Sequence, residues 1–165
     1  LGTPLADLSS SRRDQFRADY LGVIFQQFNL LPYLSLLQNV QLPCGFSRRK
    51  WTNAGDVDAS SRRLLTHLGL AESLLNQPVS QLSVGQQQRA AVARALMGGP
   101  EIVIADEPTS ALDSGNRDRF IELLFRETDE QGSTLIFVSH DKHIARQFER
   151  VVNLDQINTA AIASS

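Results

Sequence analysis

Apolar residues along this chain fall into two kinds of pattern. The first is the short continuous run, seen at residues 20–25, 102–105, 134–139 and 151–154. Runs of this length, rich in Val, Ile and Phe and closed by polar residues, predict buried strands. The run from Ile102 to Ala105 has no polar interruption, which suits a central parallel strand buried on both faces. The second pattern is helical spacing. Ser9, Ser10 and Ser11 predict the cap of a short helix through Phe16. Residues 33–75 are helical in pattern, and Leu34, Leu36, Leu37, Val40 and Leu42 form an apolar cluster that runs up to Pro43. Residues 45–58 are polar, contain glycine and carry Arg48-Arg49-Lys50, which predicts an exposed, solvated loop. From Ala59 to Leu75 the leucines at 64, 65, 68, 70, 74 and 75 predict two helices broken at Gly69, with His67 as a structural residue between them.

Ser83 is a good N-cap for an alanine-rich helix through Met97, which Gly98-Gly99-Pro100 ends. Residues 116–130 predict a second amphipathic helix, with Phe120, Ile121, Leu123, Leu124 and Phe125 on or near its buried face. Residues 142–149 predict a short helix. Strands alternating with helices make this an α/β chain.

Composition narrows the reading. The chain has 165 residues, enough for one domain with a proper core, and its 42% hydrophobic content is ordinary. A net charge of −2 removes any bulk electrostatic case for nucleic acid or a membrane surface. The lone Cys44 excludes an internal disulfide and fits a reducing compartment. No apolar run approaches the roughly 18 residues of a membrane helix, so membrane association is expected only through a partner.

Candidate chemistry gathers at the polar ends of the apolar runs. Asp106 and Glu107 follow Ala105, and carboxylates at the C-terminal end of a parallel strand lie where open α/β sheets bind ligands. Asp106 offers oxygen to a hard cation such as Mg²⁺, and Glu107 can accept a proton from a water or orient it. Neighbours on an extended strand point to opposite sides, so the chain must turn for both acids to serve one site. Pro108 is consistent with that turn. In isolation the pair reads first as a solvated strand end. Ser83 and Gly85 open a helix, whose unpaired N–H groups and dipole favour an anion. Gln26 and His140 close two other runs. Each alone is an ordinary polar residue, but a histidine so placed can donate to a bound anion.

Together these residues resemble the ATP-binding subunit of ABC transporters. Leu82-Ser83-Val84-Gly85-Gln86 resembles the signature motif LSGGQ, with Val84 where the family usually has its first glycine. Residues 102–107 resemble the Walker B strand with its catalytic glutamate, and Ser110-Ala111-Leu112-Asp113 resembles the D-loop. Gln26 resembles the Q-loop glutamine and His140 the H-switch; residues 25–43 look most like the lipoprotein-releasing and macrolide-exporter group.

The resemblance implies an α/β fold: a partial P-loop NTPase (RecA-like) parallel sheet with an inserted α-helical signature subdomain. Residues 1–27 and 98–165 would form the partial ATPase core and 28–97 the helical subdomain. It implies ATP and Mg²⁺ as cofactors. Glu107, His140 and Gln26 would be catalytic, Ser83, Gly85, Gln86 and Asp113 would contact nucleotide, and Asp106 with Gln26 would hold the metal. The implied partners are transmembrane permease subunits and a second ATP-binding subunit, whose signature helix completes the site, with no nucleic acid. The implied location is cytoplasmic, on the inner face of the membrane. The implied function couples ATP hydrolysis to transport.

One departure is an absence. A P-loop needs G-x-x-x-x-G-K-[ST], and the only lysines, Lys50 and Lys142, follow no glycine. The chain is therefore expected to be a fragment lacking an N-terminal unit, inactive alone. Its strand 134–139 is then expected at a sheet edge, with 102–105 in the middle of three strands. Two rival readings remain: a non-catalytic interaction or regulatory protein, which the missing P-loop favours, and an ABC-type ATPase acting outside transport.

Overall fold

The computed structural model describes residues 4–110 and 112–153. Each of its seven α-helices begins where a Ser or Asp side chain accepts a backbone N–H of the first turn, the usual remedy for orphan donors. Ser9 starts α1 (Ser10–Tyr20), Ser35 starts α2 (Leu36–Phe46) and Ser47 starts α3 (Arg48–Ala54). Asp56 starts α4 (Val57–His67), Ser83 starts α5 (Val84–Leu96), Asp113 starts α6 (Ser114–Glu130) and Asp141 starts α7 (Lys142–Ala145). At Ser35 and Ser83 the cap is reciprocal, with Gln38 and Gln86 reaching back to the cap N–H.

Three strands form one parallel sheet in the order β1 (Leu21–Ile24), β2 (Ile102–Asp106), β3 (Thr134–Val138). The register sets Ile24 beside Ala105 and Ala105 beside Phe137, so all three strands end at the same edge of the sheet. The helices α2 to α5 are inserted between β1 and β2 in the chain. As expected, β2 is the middle strand and β3 an edge.

The expectation that residues 102–105 are buried on both faces does not hold. Val103 and Ala105 are fully buried, while Ile102 and Ile104 are only partly so. Alternation of this kind means that helices cover one face of the described sheet. Gly22 lies on that face, and a Cβ there would meet the Ala95 carbonyl oxygen of α5 at 2.1 Å. The opposite face and the outer edge of β3 leave Ile136 and Val138 exposed.

Pro43 lies inside α2, where Val40 and Cys44 on either side are buried in the core and packing overrides the lost N–H. Further expectations are corrected between residues 45 and 58. The expected loop is instead α3 and the start of α4. Its basic run is not solvated throughout: Lys50 is buried, and its Nζ donates to the Leu21 carbonyl oxygen at 2.7 Å. Burial pushes the Lys50 ammonium down to about 8. Arg49 pairs with Glu101 at 2.9 Å and lies 4.7 Å over the Tyr20 ring. Long basic side chains can bury their stems, which polarity along a sequence does not reveal.

Toward the end, α7 stops at Ala145, short of the helix expected over 142–149. Residues 151–153 are not in a strand, and Leu154 lies outside the described residues. A single hydrophobic core runs from Ile24 and Val103 in the sheet to Leu36, Val40, Leu65 and Leu96 in the helices.

Candidate active site at the sheet edge

The site begins with the turn after β2. Strand pairing continues to Asp106, opposite Val138, and then the backbone reverses at Glu107, whose φ is +46°. That left-handed conformation is unusual for a residue with a Cβ. It is the turn that the two acids require. The Glu107 N–H still donates to the Val138 carbonyl oxygen at 3.0 Å, so the turn remains tied to β3. Asp106 is exposed at the strand end, whereas the Glu107 side chain is only 23% exposed.

Glu107 and His140 meet across the ends of two neighbouring strands. Glu107 Oε1 accepts the His140 backbone N–H at 3.0 Å and lies 2.8 Å from His140 Nδ1. One carboxylate oxygen therefore takes both contacts, leaving Oε2 without a partner in this pair. The imidazole is otherwise open, at 83% exposure. Next to it, Asp141 caps α7 and accepts from Arg117 Nη1 of α6 at 2.9 Å.

Gln26 follows β1 in an exposed turn, at the same sheet edge as Asp106. Two further left-handed residues, Phe28 at +60° and Asn29 at +48°, complete this turn. Sequence reasoning missed what holds it. Arg94 on α5 donates from Nη1 to the Asn29 carbonyl oxygen and from Nη2 to that of Phe28, both at 2.6 Å. Burial lowers the Arg94 guanidinium below its usual range. A signal of its burial was present: Arg94 stands on a helix between Ala93 and Ala95, and those two with Ala90 and Ala91 are all buried. Asn39, fully buried on α2, secures the far side of the turn, accepting the Leu31 N–H at 2.7 Å and donating to its carbonyl at 3.1 Å.

The signature residues form a separate locus at the N-terminus of α5. Ser83 Oγ accepts the Gln86 N–H at 3.3 Å, and Gln86 Oε1 accepts the Ser83 N–H at 2.9 Å. A Cβ on Gly85 would meet nothing within 4 Å, so the face of the first turn is open. Val84 is the first residue of α5, and its side chain points outward at 59% exposure. Helical backbone makes no demand for glycine there. Among the described residues, no hydrogen bond joins Ser83, Gly85 or Gln86 to Glu107 or His140. The connection is indirect: Gln88, buried on α5, donates to the Pro108 carbonyl oxygen just after Glu107, at 3.2 Å.

Asp113 caps α6, accepting the Asn116 backbone N–H at 3.0 Å and its side-chain amide at 2.7 Å. Those bonds hold its carboxyl below the usual carboxylate range. Gln26, Asp106, Glu107 and His140 thus share one sheet edge, with Ser83, Gly85, Gln86 and Asp113 on helix N-termini nearby in the chain.

Residues 2–110 match the family described as ABC transporter. The ABC transporter ATP-binding protein MJ0796 of Methanocaldococcus jannaschii is 41% identical over 148 residues, covering 90% of this chain and 63% of that protein. The macrolide export ATP-binding/permease protein MacB of Syntrophobacter fumaroxidans is 40% identical over 157 residues, covering 93% of this chain and 21% of that protein. Among solved structures, the dimeric post-hydrolysis state of the MJ0796 cassette bound to ADP and Pi superposes with a TM-score of 0.73 at 40% identity, covering 88% of this chain and 63% of that one. The chain therefore spans less than two thirds of the length of these relatives. Among the described residues no helix is long and apolar enough to cross a membrane. By its family match, its relatives and its parallel α/β fold, the chain belongs to the ATP-binding cassettes of the ABC transporters, alongside those of the macrolide-exporter group.

Proposed function

We propose that this chain supplies the metal-and-water half of an ATPase site that drives transport across a membrane. The observation that carries the reading is the Glu107–His140 contact at 2.8 Å, made by the ends of two adjacent parallel strands. Glu107 is the group that orients the attacking water and accepts its proton, through the oxygen that His140 does not occupy. His140 holds Glu107 in place and presents its open ring to the γ-phosphate. Asp106 and Gln26 bring oxygen donors to the same edge, which fits Mg²⁺; that ion, when bound, supplies charge neutralisation on the phosphates.

Ser83, Gly85 and Gln86 suit a nucleotide phosphate, since the first turn of α5 is open and carries the positive helix end. They face outward, which supports a second cassette as the owner of that nucleotide, with Asp113 beside the shared surface. Residues 1–27 and 98–165 act as the partial ATPase core and 28–97 as the helical signature subdomain. In the longer protein, permease subunits or segments bring the cassette to the inner face of the membrane. The names of relatives such as MacB support export as the direction.

The test uses this chain joined to a segment carrying a P-loop, comparing wild type with Glu107→Gln. Turnover is expected to fall by roughly 100-fold or more with nucleotide affinity retained. Parallel loss of binding and turnover would overturn the role of Glu107.

A further inference from the structure

Away from the sheet edge lies a cluster with different chemistry. His67 ends α4, and Glu127 and Glu130 stand one turn apart on α6, where a spacing of three puts them on one face. His67 Nδ1 is 3.3 Å from Glu127 Oε2, and His67 Nε2 is 3.8 Å from Glu130 Oε2. One ligand atom from each residue can be chosen so that all lie within 4.8 Å of one another. The cluster lines an open cleft of about 750 Å³ between the two helices and the Gly98-Gly99 turn.

The pattern reading placed His67 as a structural residue. The structure leaves its ring 47% exposed, facing two acids on a distant element. Glu127 is the more telling partner. Its side chain is only 2% exposed, so it is a buried carboxylate that needs compensation. Arg126 supplies part of this, donating from Nε at 3.2 Å and Nη2 at 2.9 Å, but both bonds go to Oε1. Oε2 is left to face His67. A second cation on that oxygen completes the balance.

We propose that His67, Glu127 and Glu130 form a site for a divalent transition ion of the Zn²⁺ type. One imidazole and two carboxylates are a donor set that Zn²⁺ accepts, leaving a fourth position for water. Ligands about 2.0–2.1 Å from a tetrahedral ion stand roughly 3.3–3.4 Å apart. The His67–Glu127 distance already meets this. That distance is to Nδ1, whereas Glu130 faces Nε2; its half-exposed side chain must swing to the Nδ1 side to join the same ion. Arg63, which also lines the cleft, is tied to Ser60 Oγ at 3.4 Å, and its charge with that of Arg126 opposes binding of a cation. The bound ion would cross-link α4 to α6.

The experiment is calorimetric titration of the whole chain with ZnCl₂, run beside a His140→Ala variant so that zinc taken by the Glu107–His140 pair is counted separately. One saturable micromolar site per chain is expected, with the melting temperature raised by roughly 5 °C or more at saturation. His67→Asn should weaken binding at least tenfold, and Glu130→Gln, at a half-exposed position that does not threaten the fold, severalfold. His143→Ala should leave it unchanged. Absence of a saturable site, or binding indifferent to His67→Asn and Glu130→Gln in variants with native circular dichroism, would overturn the proposal. Cobalt gives an independent readout: visible absorption bands that vanish in His67→Asn support it, and bands that persist contradict it.

Discussion

Glu107 offers a sharp test because its backbone and its side chain make separable demands. At φ +46° a residue with a Cβ sits in the left-handed region, at a penalty of about 1–2 kcal/mol that glycine does not pay. Glycine has its own handicap, about 0.5–1 kcal/mol relative to alanine, from the freedom it loses on folding. At an ordinary position alanine is therefore the more stable substitution. At 107 the order should invert, with Glu107→Gly more stable than Glu107→Ala by roughly 0.5–1 kcal/mol. Both variants remove the carboxylate and both lose its contacts with His140, so those losses cancel in the comparison. Glu122, exposed in α6, is the control: there alanine should beat glycine by about 1 kcal/mol. Urea unfolding followed by circular dichroism resolves differences of this size. If alanine at 107 equals or exceeds glycine, the backbone at Glu107 is not strained, and the turn that aims the two acids has another origin.

Lys50 makes stability depend on pH with a definite sign. Its folded value of about 8 lies below the unfolded 10.4 or so, so the unfolded chain holds more protons between them and stability rises with pH across that window. Between pH 7 and 9.5 the gain is about 2 kcal/mol, and it should be missing from Lys50→Met. Burial raises the Cys44 thiol, which opposes the trend in both proteins; equal pH slopes in urea titrations would refute the assignment. Gly22→Ala forces a methyl to 2.1 Å from a backbone oxygen and should destabilise by about 3 kcal/mol, lowering the melting temperature by roughly 6–12 °C. Gly45→Ala, in α2 with nothing within 4 Å, should instead stabilise by about 0.5–1 kcal/mol.

Much of this was legible in the residues. The three apolar runs that became β1, β2 and β3 announce their own ends, and those ends carry Gln26, Asp106, Glu107 and His140. Caps such as Ser83 and Asp113 are local chemistry, so they are visible locally. What stayed hidden depends on a distant partner. Nothing near Lys50 tells of the Leu21 carbonyl it reaches, and nothing near Arg94 tells of the Phe28 and Asn29 carbonyls. The need for a turn at Glu107 followed from strand geometry alone, but the positive φ that meets it did not.

The two grips of α5 on neighbouring segments have a mechanical consequence. Its first residues carry the outward-facing signature, Gln88 grips the loop after Glu107, and Arg94 grips the turn after Gln26. A helix of 13 residues is a rod about 20 Å long, far stiffer than the loops it holds. A push on its outer end cannot be absorbed along its length and is delivered to both gripped segments at once. Whatever presses on Ser83 and Gly85 therefore moves the surroundings of Gln26 and of Glu107 in step, and load on the Gln26 turn travels back the same way.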